Sequence, residues 1–334
     1  MSTERMTAEE AEAFYARYKE SDEHHEREEA SDDAEGLKAL DAEELLNLQL
    51  SPREFVLAPV IRERDSVMIY SWRGTGKTHL GLAVAYAIAS VGKVLRWEAP
   101  RPRRVLYVDG EMPATAVQER LANIVKGSEK EPAPGFLKII TPDAQDLPIP
   151  NLASPEVQNR FDRLYADSVE VVVFDSISTL FRGGRENEAE SWTPAQEWAL
   201  RLRRKGIAVF FQHHEGKGGA QRGTSRREDT LDTVIHLVRP ANYEPAEGAR
   251  FNVIFEKTRG IMGDAVKPFE AKLEVRDGRA EWTTRDIEDV TLAQAREMFK
   301  DGMSVRDVAE ELKISKSKAH RLRNKLKDEG DATK

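Results

Sequence analysis

The feature that most constrains the fold of this chain is residues 71–78, which read SWRGTGKT. The segment follows a short β-rich apolar run and precedes a long apolar run with helix-forming residues. Where a glycine-rich turn joins a strand to a helix in this way, backbone N–H groups and the helix N-terminus can surround phosphate groups. The predicted nucleotide-binding residues are Arg73, Gly74, Thr75, Gly76, Lys77, Thr78 and His79.

Within this loop, Lys77 is expected to reach the β- and γ-phosphate oxygens and Thr78 to hold Mg²⁺, with ATP as the nucleotide. Ser71 stands where such loops usually begin with glycine. Serine can serve there if its φ angle is negative, and the Gly-Lys-Thr that contacts phosphate is intact. The alternative is a glycine-rich turn that binds no ligand.

Two acidic positions follow apolar strands and are candidates for the chemistry. Asp175 ends the buried run VVVF and is predicted to coordinate the magnesium ion through water, the alternative being a carboxylate that caps the next turn. Glu111 follows another strand and is the predicted general base, because a carboxylate at that edge can polarise the attacking water. Asp109, which lies closer to the middle of the strand, is the alternative candidate for the general base.

A third apolar strand ends in Gln212, His213 and His214, and one of these side chains is expected to sense the γ-phosphate. Of the three, His213 is included among the predicted catalytic residues. The following loop, 215–227, is rich in glycine and basic residues, and its Lys217 and Arg222 are predicted to contact DNA as a strand-tracking loop. A solvated surface loop is the alternative.

Two cations, Lys257 and Arg259, stand one residue apart at the end of a late strand. They are predicted to be catalytic, reaching the nucleotide of a neighbouring subunit as an arginine finger. The alternative is that they only keep the strand end soluble.

Short β-rich runs alternate with amphipathic helical runs, which predicts an α/β fold with a mostly parallel sheet flanked by helices. The predicted strands are 67–70, 104–109, 137–140, 169–174, 207–212, 233–237 and 251–256, with a terminal hairpin of 269–275 and 279–283. The predicted helices are 78–91, 114–125, 155–167 and 194–205.

Composition limits the cellular setting. The 334 residues include no cysteine, and no leader-like apolar segment is found near the start, so a reducing, cytoplasmic location is expected. The longest mostly apolar run, 80–89, is far shorter than the ~20 residues that span a bilayer, so no membrane partner is predicted.

Charge is distributed unevenly along the chain, whose formal net charge is −8. Residues 1–46 hold 16 acidic and 5 basic side chains, so the remainder is close to neutral. Within that remainder, residues 313–327 carry seven Lys and Arg and no acid. The acidic start predicts a disordered tail, whereas the basic segment predicts a local surface for a polyanion.

After residue 289 the pattern changes to short helices alone, predicted at 292–301, at 305–312 and from 316 to about 327, with Thr291 capping the first. Three such helices with tight turns and a basic third helix indicate a helix-turn-helix unit. Three-helix units also serve as protein-contact modules, so both interpretations stay open. The predicted DNA-binding residues of the last helix are Lys316, Lys318, Arg321 and Arg323.

These observations divide the chain into three predicted parts. Residues 1–36 form an acidic disordered tail, residues 37–288 form the ATPase core, and residues 289–330 form the helix-turn-helix unit.

Together, the motifs resemble the RecA-like ATPases of the hexameric helicase type, and within them the plasmid RepA-like replicative helicases. The resemblance covers about residues 45–260 and rests on the motifs at 72–78, 109–111, 171–176, 212–214 and 221–225, and on the Lys257-x-Arg259 spacing, which is similar to a cation pair used between subunits. It implies a RecA-like fold and a homo-hexameric ring that passes single-stranded DNA through its centre, with ATP at each interface. The C-terminal helices resemble winged or resolvase-type DNA-binding helices, which bind duplex DNA.

Two functional hypotheses follow from the sequence. The first is a ring-forming, DNA-stimulated ATPase, a replicative helicase of a plasmid, phage or mobile element. The second is an ATP-switched DNA-binding regulator or loader that does not unwind DNA, which the near-neutral core favours because strand-tracking channels usually show a basic excess.

Overall fold

The computed structural model describes residues 39–182, 192–215 and 229–328. The chain divides into two units, Met1–Pro52 and Arg53–Lys334. In the first unit, helix α1 (Ala42–Asn47) begins with a capping box between Asp41 and Glu44 and buries none of its residues. The predicted acidic tail, residues 1–36, lies outside the described residues.

The second unit alternates strands and helices along most of its length. Its strands are β1 (Phe55–Leu57), β2 (Ile61–Arg62), β3 (Ser66–Ser71), β4 (Lys93–Val94), β5 (Trp97–Glu98), β6 (Val105–Asp109), β7 (Leu137–Ile140), β8 (Val171–Asp175), β9 (Ala208–His214), β10 (Thr233–Val238), β11 (Arg250–Thr258), β12 (Phe269–Arg276) and β13 (Arg279–Asp286). Its helices are α2 (Lys77–Ser90), α3 (Ala114–Gly127), α4 (Pro155–Tyr165), α5 (Ile177–Leu180), α6 (Thr193–Arg204), α7 (Ile287–Lys300), α8 (Val305–Glu311) and α9 (Lys316–Asp328). Among the described helices, none combines the length and apolarity needed to cross a membrane.

One large sheet organises the unit, with the strand order β13-β12-β11-β10-β3-β9-β8-β6-β7. The strands from β10 to β7 run parallel, whereas β11, β12 and β13 continue the sheet in antiparallel fashion. The predicted α/β class, a mostly parallel sheet flanked by helices, is confirmed. All the parallel strands therefore end at one edge of the sheet, called here the carboxyl edge.

Each strand and helix predicted between residues 67 and 283 is present, with ends shifted by up to three residues. The prediction that Thr291 caps a helix beginning at residue 292 was wrong. Helix α7 begins at Ile287, directly after β13, and Thr291 lies inside it with its hydroxyl donating to the Ile287 carbonyl at 2.7 Å. Threonine can satisfy its hydroxyl against the preceding helical turn as well as at a cap, and the sequence pattern did not separate these two roles.

Helix α2 is unusual because residues 80–90 are buried all round. It lies on one face of the sheet within a core shared with β3, β6, β9 and the antiparallel strands, while α4, α5 and α6 cover a second core on the other face. The antiparallel end of the sheet contributes aromatic rings to the first core, including Phe251 and Trp282 at 5.6 Å between centroids. An apolar helix with no solvent-facing stripe requires enclosure of this kind.

The enclosure is completed where α3 packs against β13, the strand at the far end of the sheet from β6. The close contact is at Gly127, because a Cβ atom there would lie 2.2 Å from the carbonyl oxygen of Ala280. The sheet therefore curls around α2, and glycine allows helix and strand to approach.

The last three helices form a small core of their own. Its buried residues are Leu292, Ala295, Val308, Ala309, Ala319, Leu322 and Leu326. Ser304 and Asp307 form a capping box at the start of α8, and the Ser315 hydroxyl accepts from the Lys318 N–H at 3.2 Å at the start of α9. These caps begin α8 and α9 where the sequence predicts them.

Replacing Gly127 by Ala tests the contact between α3 and β13. Alanine is the better helix former, by up to ~1 kcal/mol. Even so, we expect Gly127→Ala to lower the free energy of unfolding by about 1–3 kcal/mol, because the new methyl group would overlap a backbone carbonyl that cannot rotate away. Urea-induced unfolding measures the change.

Gln118→Ala, on the exposed side of the same helix, is the matched control and should change stability by less than about 0.5 kcal/mol. A Gly127→Ala protein as stable as the wild type would contradict the close packing of α3 on β13.

Candidate functional site

The glycine-rich loop joins the end of β3 to the start of α2. Its Gly74 and Gly76 have φ angles of 72° and 115°, which L side chains rarely adopt, and a Cβ on Gly76 would lie 2.6 Å from the Cβ of Ala249. Ser71, in contrast, is the last residue of β3 and its φ is not positive, so serine fits there without strain. The backbone conformation of the loop therefore requires glycine at positions 74 and 76 but not at position 71.

Lys77 folds back onto its own loop. Its ammonium group donates to the Ser71 carbonyl and hydroxyl oxygens, each at 3.1 Å, and to the Trp72 carbonyl at 3.2 Å. Burial lowers the pKa of Lys77 to about 8, against the opposing influence of the carboxylates of Asp175 and Glu111. The cation is thus held at the loop by neutral oxygens that a phosphate could replace.

Asp175 is a buried carboxylate at the tip of β8. It accepts a hydrogen bond of 2.6 Å from the Tyr107 hydroxyl. Burial raises the pKa of Asp175, and the Tyr107 bond and the nearby Thr78 side chain oppose that rise. Asp175 and Thr78, the two residues that the sequence predicts as metal ligands, are therefore neighbours.

The residues around Asp175 suit a Mg²⁺ ion that is bound partly by a nucleotide and water. They do not form a site that holds a metal ion with protein ligands alone. Across the described ranges, no group of three or more His, Asp or Glu is arranged to hold an ion. Mg²⁺ is commonly bound by one or two carboxylates and hydroxyls together with substrate phosphates and water. Thr78 and Asp175, beside the phosphate-binding loop, form a set of this kind.

Sequence reasoning missed Tyr107. Its buried hydroxyl donates to Asp175 and accepts from the Gln212 side-chain amide at 3.3 Å, and Gln212 in turn packs against Gly81 of α2, where a Cβ would lie 1.9 Å from the amide nitrogen. Position 107 reads as an ordinary strand residue in the sequence. Its only signal is that it lies two residues before Asp109 and so faces the same side of the sheet.

Asp109 and Glu111 have different surroundings. The Asp109 carboxylate is fully buried and accepts from the backbone N–H groups of Glu111 and Met112 at 3.1 and 3.2 Å, so it shapes the turn after β6. Burial raises its pKa to about 6, although these N–H bonds act in the opposite direction. By contrast, 46 % of the Glu111 side chain is exposed, so water can reach its carboxylate.

Glu111 is positioned by two side chains from neighbouring strand tips. Its carboxylate lies 3.3 Å from His214 Nε2 and accepts from the Ser176 hydroxyl at 3.3 Å. The hydrogen bond from His214 is the largest cause of a lowered pKa of Glu111, followed by burial in the opposite direction and then by the charge of His214 and the Ser176 bond. The carboxylate is therefore ionised near neutral pH and able to accept a proton from water.

The three candidate phosphate sensors on β9 do not share one position. Gln212 and His214 face α2, with Gln212 buried against Tyr107 and His214 beside Glu111. His213 lies between them in sequence and is paired in register with Tyr70, so it faces the opposite side of the sheet. The structure thus brings His214, rather than His213, to the predicted base.

Lys257 and Arg259 lie far from the glycine-rich loop of their own chain. Strand β11 runs antiparallel to β10 and pairs Thr258 with Thr233, at the edge of the sheet opposite to the carboxyl edge. There Arg259 donates to the Asp229 carbonyl at 2.6 Å and lies 3.9 Å from the Asp232 carboxylate. These two cations are therefore not brought together with the other predicted site residues.

The predicted DNA-binding residues fall in two places. Lys217 and Arg222 lie outside the described residues. On α9, Lys316 and Arg321 are exposed, Lys318 is partly exposed, and Arg323 is exposed with its guanidinium 5.6 Å from the ring centroid of Phe299. The four predicted residues of α9 thus lie on the solvent side of the three-helix unit.

Comparison with known proteins places this site in a family context. Residues 31–220, more than half of the chain, match the AAA_25 model, described as an AAA domain. None of the curated proteins matches the sequence.

Two archaeal structures are similar to parts of the chain. One is the flagellar accessory protein FlaH from Methanocaldococcus jannaschii, with 14% identity, a TM-score of 0.46 and coverage of 66% of this chain and 90% of that one. The other is a KaiC-like protein from the hyperthermophilic archaeon Pyrococcus horikoshii OT3, with 16% identity, a TM-score of 0.47 and coverage of 68% and 93%.

Replacing Tyr107 by Phe tests the bond to Asp175. The change leaves a buried carboxylate with one hydrogen bond fewer, so we expect the free energy of unfolding to fall by about 1.5–3 kcal/mol. Chemical denaturation followed by circular dichroism measures it.

Tyr243→Phe is the matched control, because its hydroxyl donates to the exposed Gly248 carbonyl, and it should cost less than about 0.5 kcal/mol. Equal losses in the two variants would show that the bond between Tyr107 and Asp175 adds no particular stability.

Proposed function

Because this chain belongs to the AAA_25 family of AAA domains, we propose that it is a magnesium-dependent ATPase whose hydrolysis drives a DNA-acting ring, as in a replicative helicase of a plasmid, phage or mobile element. The observation that carries the proposal is a chain of contacts at the carboxyl edge of the sheet. Lys77 bonds to Ser71, which is paired in register with His214, and His214 contacts Glu111. Glu111 also accepts from Ser176, the residue that follows Asp175.

In the proposed reaction, Glu111 accepts a proton from the water that attacks the γ-phosphate. Its carboxylate is ionised, half exposed, and held by His214 and Ser176. General-base catalysis requires a group within hydrogen-bond reach of the water and free to take the proton. Asp109 does not meet this condition, because its oxygens already accept backbone N–H groups.

Lys77 and the loop would bind the triphosphate. A phosphate oxygen is a stronger acceptor than the carbonyl and hydroxyl groups that hold the ammonium group in the present structure, because the bond is then charge-assisted on both sides. When bound, magnesium would neutralise the phosphate charge that grows as the terminal phosphate leaves, with Thr78 and Asp175 as its protein ligands.

A ring would explain the position of Arg259. Its side chain is 51 % exposed and lies at the edge opposite to the loop of its own chain, so it can serve only the nucleotide of another subunit. A homo-hexamer in which Lys257 and Arg259 reach the neighbouring site is the arrangement that we propose. Single-stranded DNA would pass through the centre of that ring.

Duplex DNA would bind at the C-terminal helices, which we propose to be a helix-turn-helix unit. The exposed Lys316 and Arg321 offer positive charge to a phosphate backbone, and Ser315 caps the helix that would enter the groove. A cytoplasmic location belongs to the same proposal and rests on the absence of cysteine from the sequence.

The second candidate is an ATP-switched DNA-binding regulator or loader that does not unwind DNA. The specific observation in its favour is charge: apart from the acidic first 46 residues and the basic segment 313–327, the chain shows no strong basic excess. Proteins that track single strands usually depend on such an excess.

Matched substitutions of the two rival carboxylates test the hydrolytic site. We expect Glu111→Gln to lower kcat by at least about a hundredfold, because the base is lost while the shape is kept. Asp109→Asn should keep most of the activity, because an amide oxygen can still accept the backbone N–H groups. Phosphate release under saturating ATP measures both.

Lys77→Ala is the negative control, and it should abolish turnover. Loss of activity in Asp109→Asn together with normal turnover in Glu111→Gln would contradict the assignment of the base.

Strand displacement on forked DNA separates the two candidate functions. If the protein is a helicase, we expect ATP-dependent unwinding that Glu111→Gln abolishes. Arg259→Ala should also abolish unwinding, but it should leave ATP binding intact. The regulator predicts no unwinding, together with tight binding to one duplex sequence that weakens in a Lys316→Ala, Arg321→Ala double variant.

Lys300→Ala, on an exposed part of α7, is the matched control for the double variant. Absence of unwinding with sequence-specific duplex binding would reject the helicase.

A further inference from the structure

A cavity lies at the far ends of the two helices that begin at the carboxyl edge of the sheet. Helix α2 begins at Lys77, in the phosphate loop, and α3 begins three residues after Glu111. Each helix has 14 residues and is therefore about 20 Å long. The last turns of both helices, together with residues 280–282 of β13, line a cavity of about 370 Å³. Its volume lies in the roughly 300–1,000 Å³ range of small-molecule sites.

Part of the lining is apolar and aromatic. Ala83, Tyr86 and Ala87 contribute from α2 and are buried. Ile124 contributes from α3 and Trp282 from β13, and both are partly buried. Aromatic rings attract a cation to their faces and also pack against apolar groups. This part of the lining suits the apolar body of a ligand.

The carbonyl ends of both helices give the cavity a negative side. Val91 caps the end of α2 and Ser128 caps the end of α3, and both residues line the cavity. The C-terminus of a helix carries a negative partial charge. The ammonium group of Lys130 donates to the Val91 carbonyl at 3.3 Å, so a cation of the chain itself binds at this helix end.

Two carboxylates add further negative charge. Glu129 directly follows the cap of α3, Glu281 lies on β13, and both line the cavity and are exposed. Neither has a side-chain partner among the described residues. Glu98, which also lines the cavity, pairs with Lys93 at 3.4 Å. The charges that are not already paired therefore favour a positively charged ligand.

Two bulky residues of the lining have a left-handed backbone conformation. Val91 and Leu95 have φ angles of 58° and 55°, and they are two of the five non-glycine residues with positive φ in the described ranges. This conformation is unfavourable for bulky side chains, above all for a β-branched one such as valine. Such strain persists only where the surrounding structure enforces it, and it is concentrated at ligand and switch sites. It therefore supports a binding role for this lining.

We propose that this cavity is an effector site that binds a small organic cation, an ammonium or guanidinium group carried on an apolar body. The cation would replace the Lys130 ammonium at the Val91 carbonyl, close to Glu129 and Glu281. The apolar body would pack on Trp282. No sequence motif indicates this region, and the site is separate from the phosphate loop.

The two helices connect the cavity to the proposed hydrolytic site. The Tyr86 hydroxyl of α2 donates to the Lys130 carbonyl at 3.2 Å, so the end of α2 is bonded to the segment that follows α3. A ligand that changed the spacing of these helix ends would also change the position of Lys77 relative to Glu111. The effect on turnover rests on the proposed ATPase function, whereas the binding of the cation does not.

Three probes with similar phenyl-bearing bodies test the charge of the ligand on the wild-type protein. Phenethylamine is a cation at neutral pH, 2-phenylethanol is neutral and 3-phenylpropionate is an anion. We expect phenethylamine to bind at least about tenfold more tightly than either of the others. Ligand-observed NMR titration measures the three affinities.

Substitutions at exposed positions locate the binding site. A double variant, Glu129→Gln with Glu281→Gln, should weaken phenethylamine binding at least about threefold. Lys130→Ala should strengthen it, because the competing ammonium of the chain is removed. Glu310→Gln, on the exposed side of α8, is the matched control and should leave the affinity unchanged. Thermal melting confirms that each variant is folded.

Phosphate release at saturating ATP tests the effector role. Saturating phenethylamine should change kcat at least about twofold in the wild type and less in the double variant. Equal affinities for the three probes, or an amine affinity that the double substitution leaves unchanged, would overturn the cation site. Selective amine binding with unchanged kcat would overturn the effector role. A protein that hydrolyses no ATP under any condition would reject the proposed ATPase function, and the NMR titration then decides the cation site by itself.

Discussion

The enclosure of α2 is the constraint on which the rest of the structure depends. This helix begins with the phosphate loop and is apolar on every side, so its burial requires protein all around it. The sheet supplies one side, and the curl that brings β13 against α3 supplies the others. The same curl places the start of β11 beside the first turn of the helix, where a Cβ on Gly76 would meet Ala249. Burial of the helix therefore also determines which residues lie next to the loop.

Low dielectric at the helix start gives the polar groups there their properties. Burial lowers the pKa of Lys77 and raises those of Asp175 and Asp109, and each group makes specific hydrogen bonds. Glu111 differs because it is half exposed and has donors on both sides. The roles proposed for these carboxylates therefore differ because of their surroundings, since the carboxyl groups themselves are chemically alike.

Local features of this fold could be predicted from the sequence, whereas relations between distant elements could not. Periodicity and turn residues gave the strands and helices, and the glycine-rich loop could be located because its signal is contiguous. The direction of β11 could not be inferred, because a strand carries no local mark of being parallel or antiparallel, and that direction decides where Lys257 and Arg259 lie. The contact of Gly127 with Ala280 joins residues more than 150 positions apart, and such pairings depend on the order of strands in the sheet.

The tip of β9 has a mechanical consequence that follows from its geometry alone. His214 touches Glu111 on one face of the sheet, while the next residue, Glu215, donates its N–H to the Ser71 carbonyl at 2.8 Å and lies 3.4 Å from His236. Two adjacent residues of an extended chain cannot be displaced independently. A displacement of Glu111 that moved His214 would therefore also move Glu215, and with it the contacts to the Ser71 carbonyl and to His236.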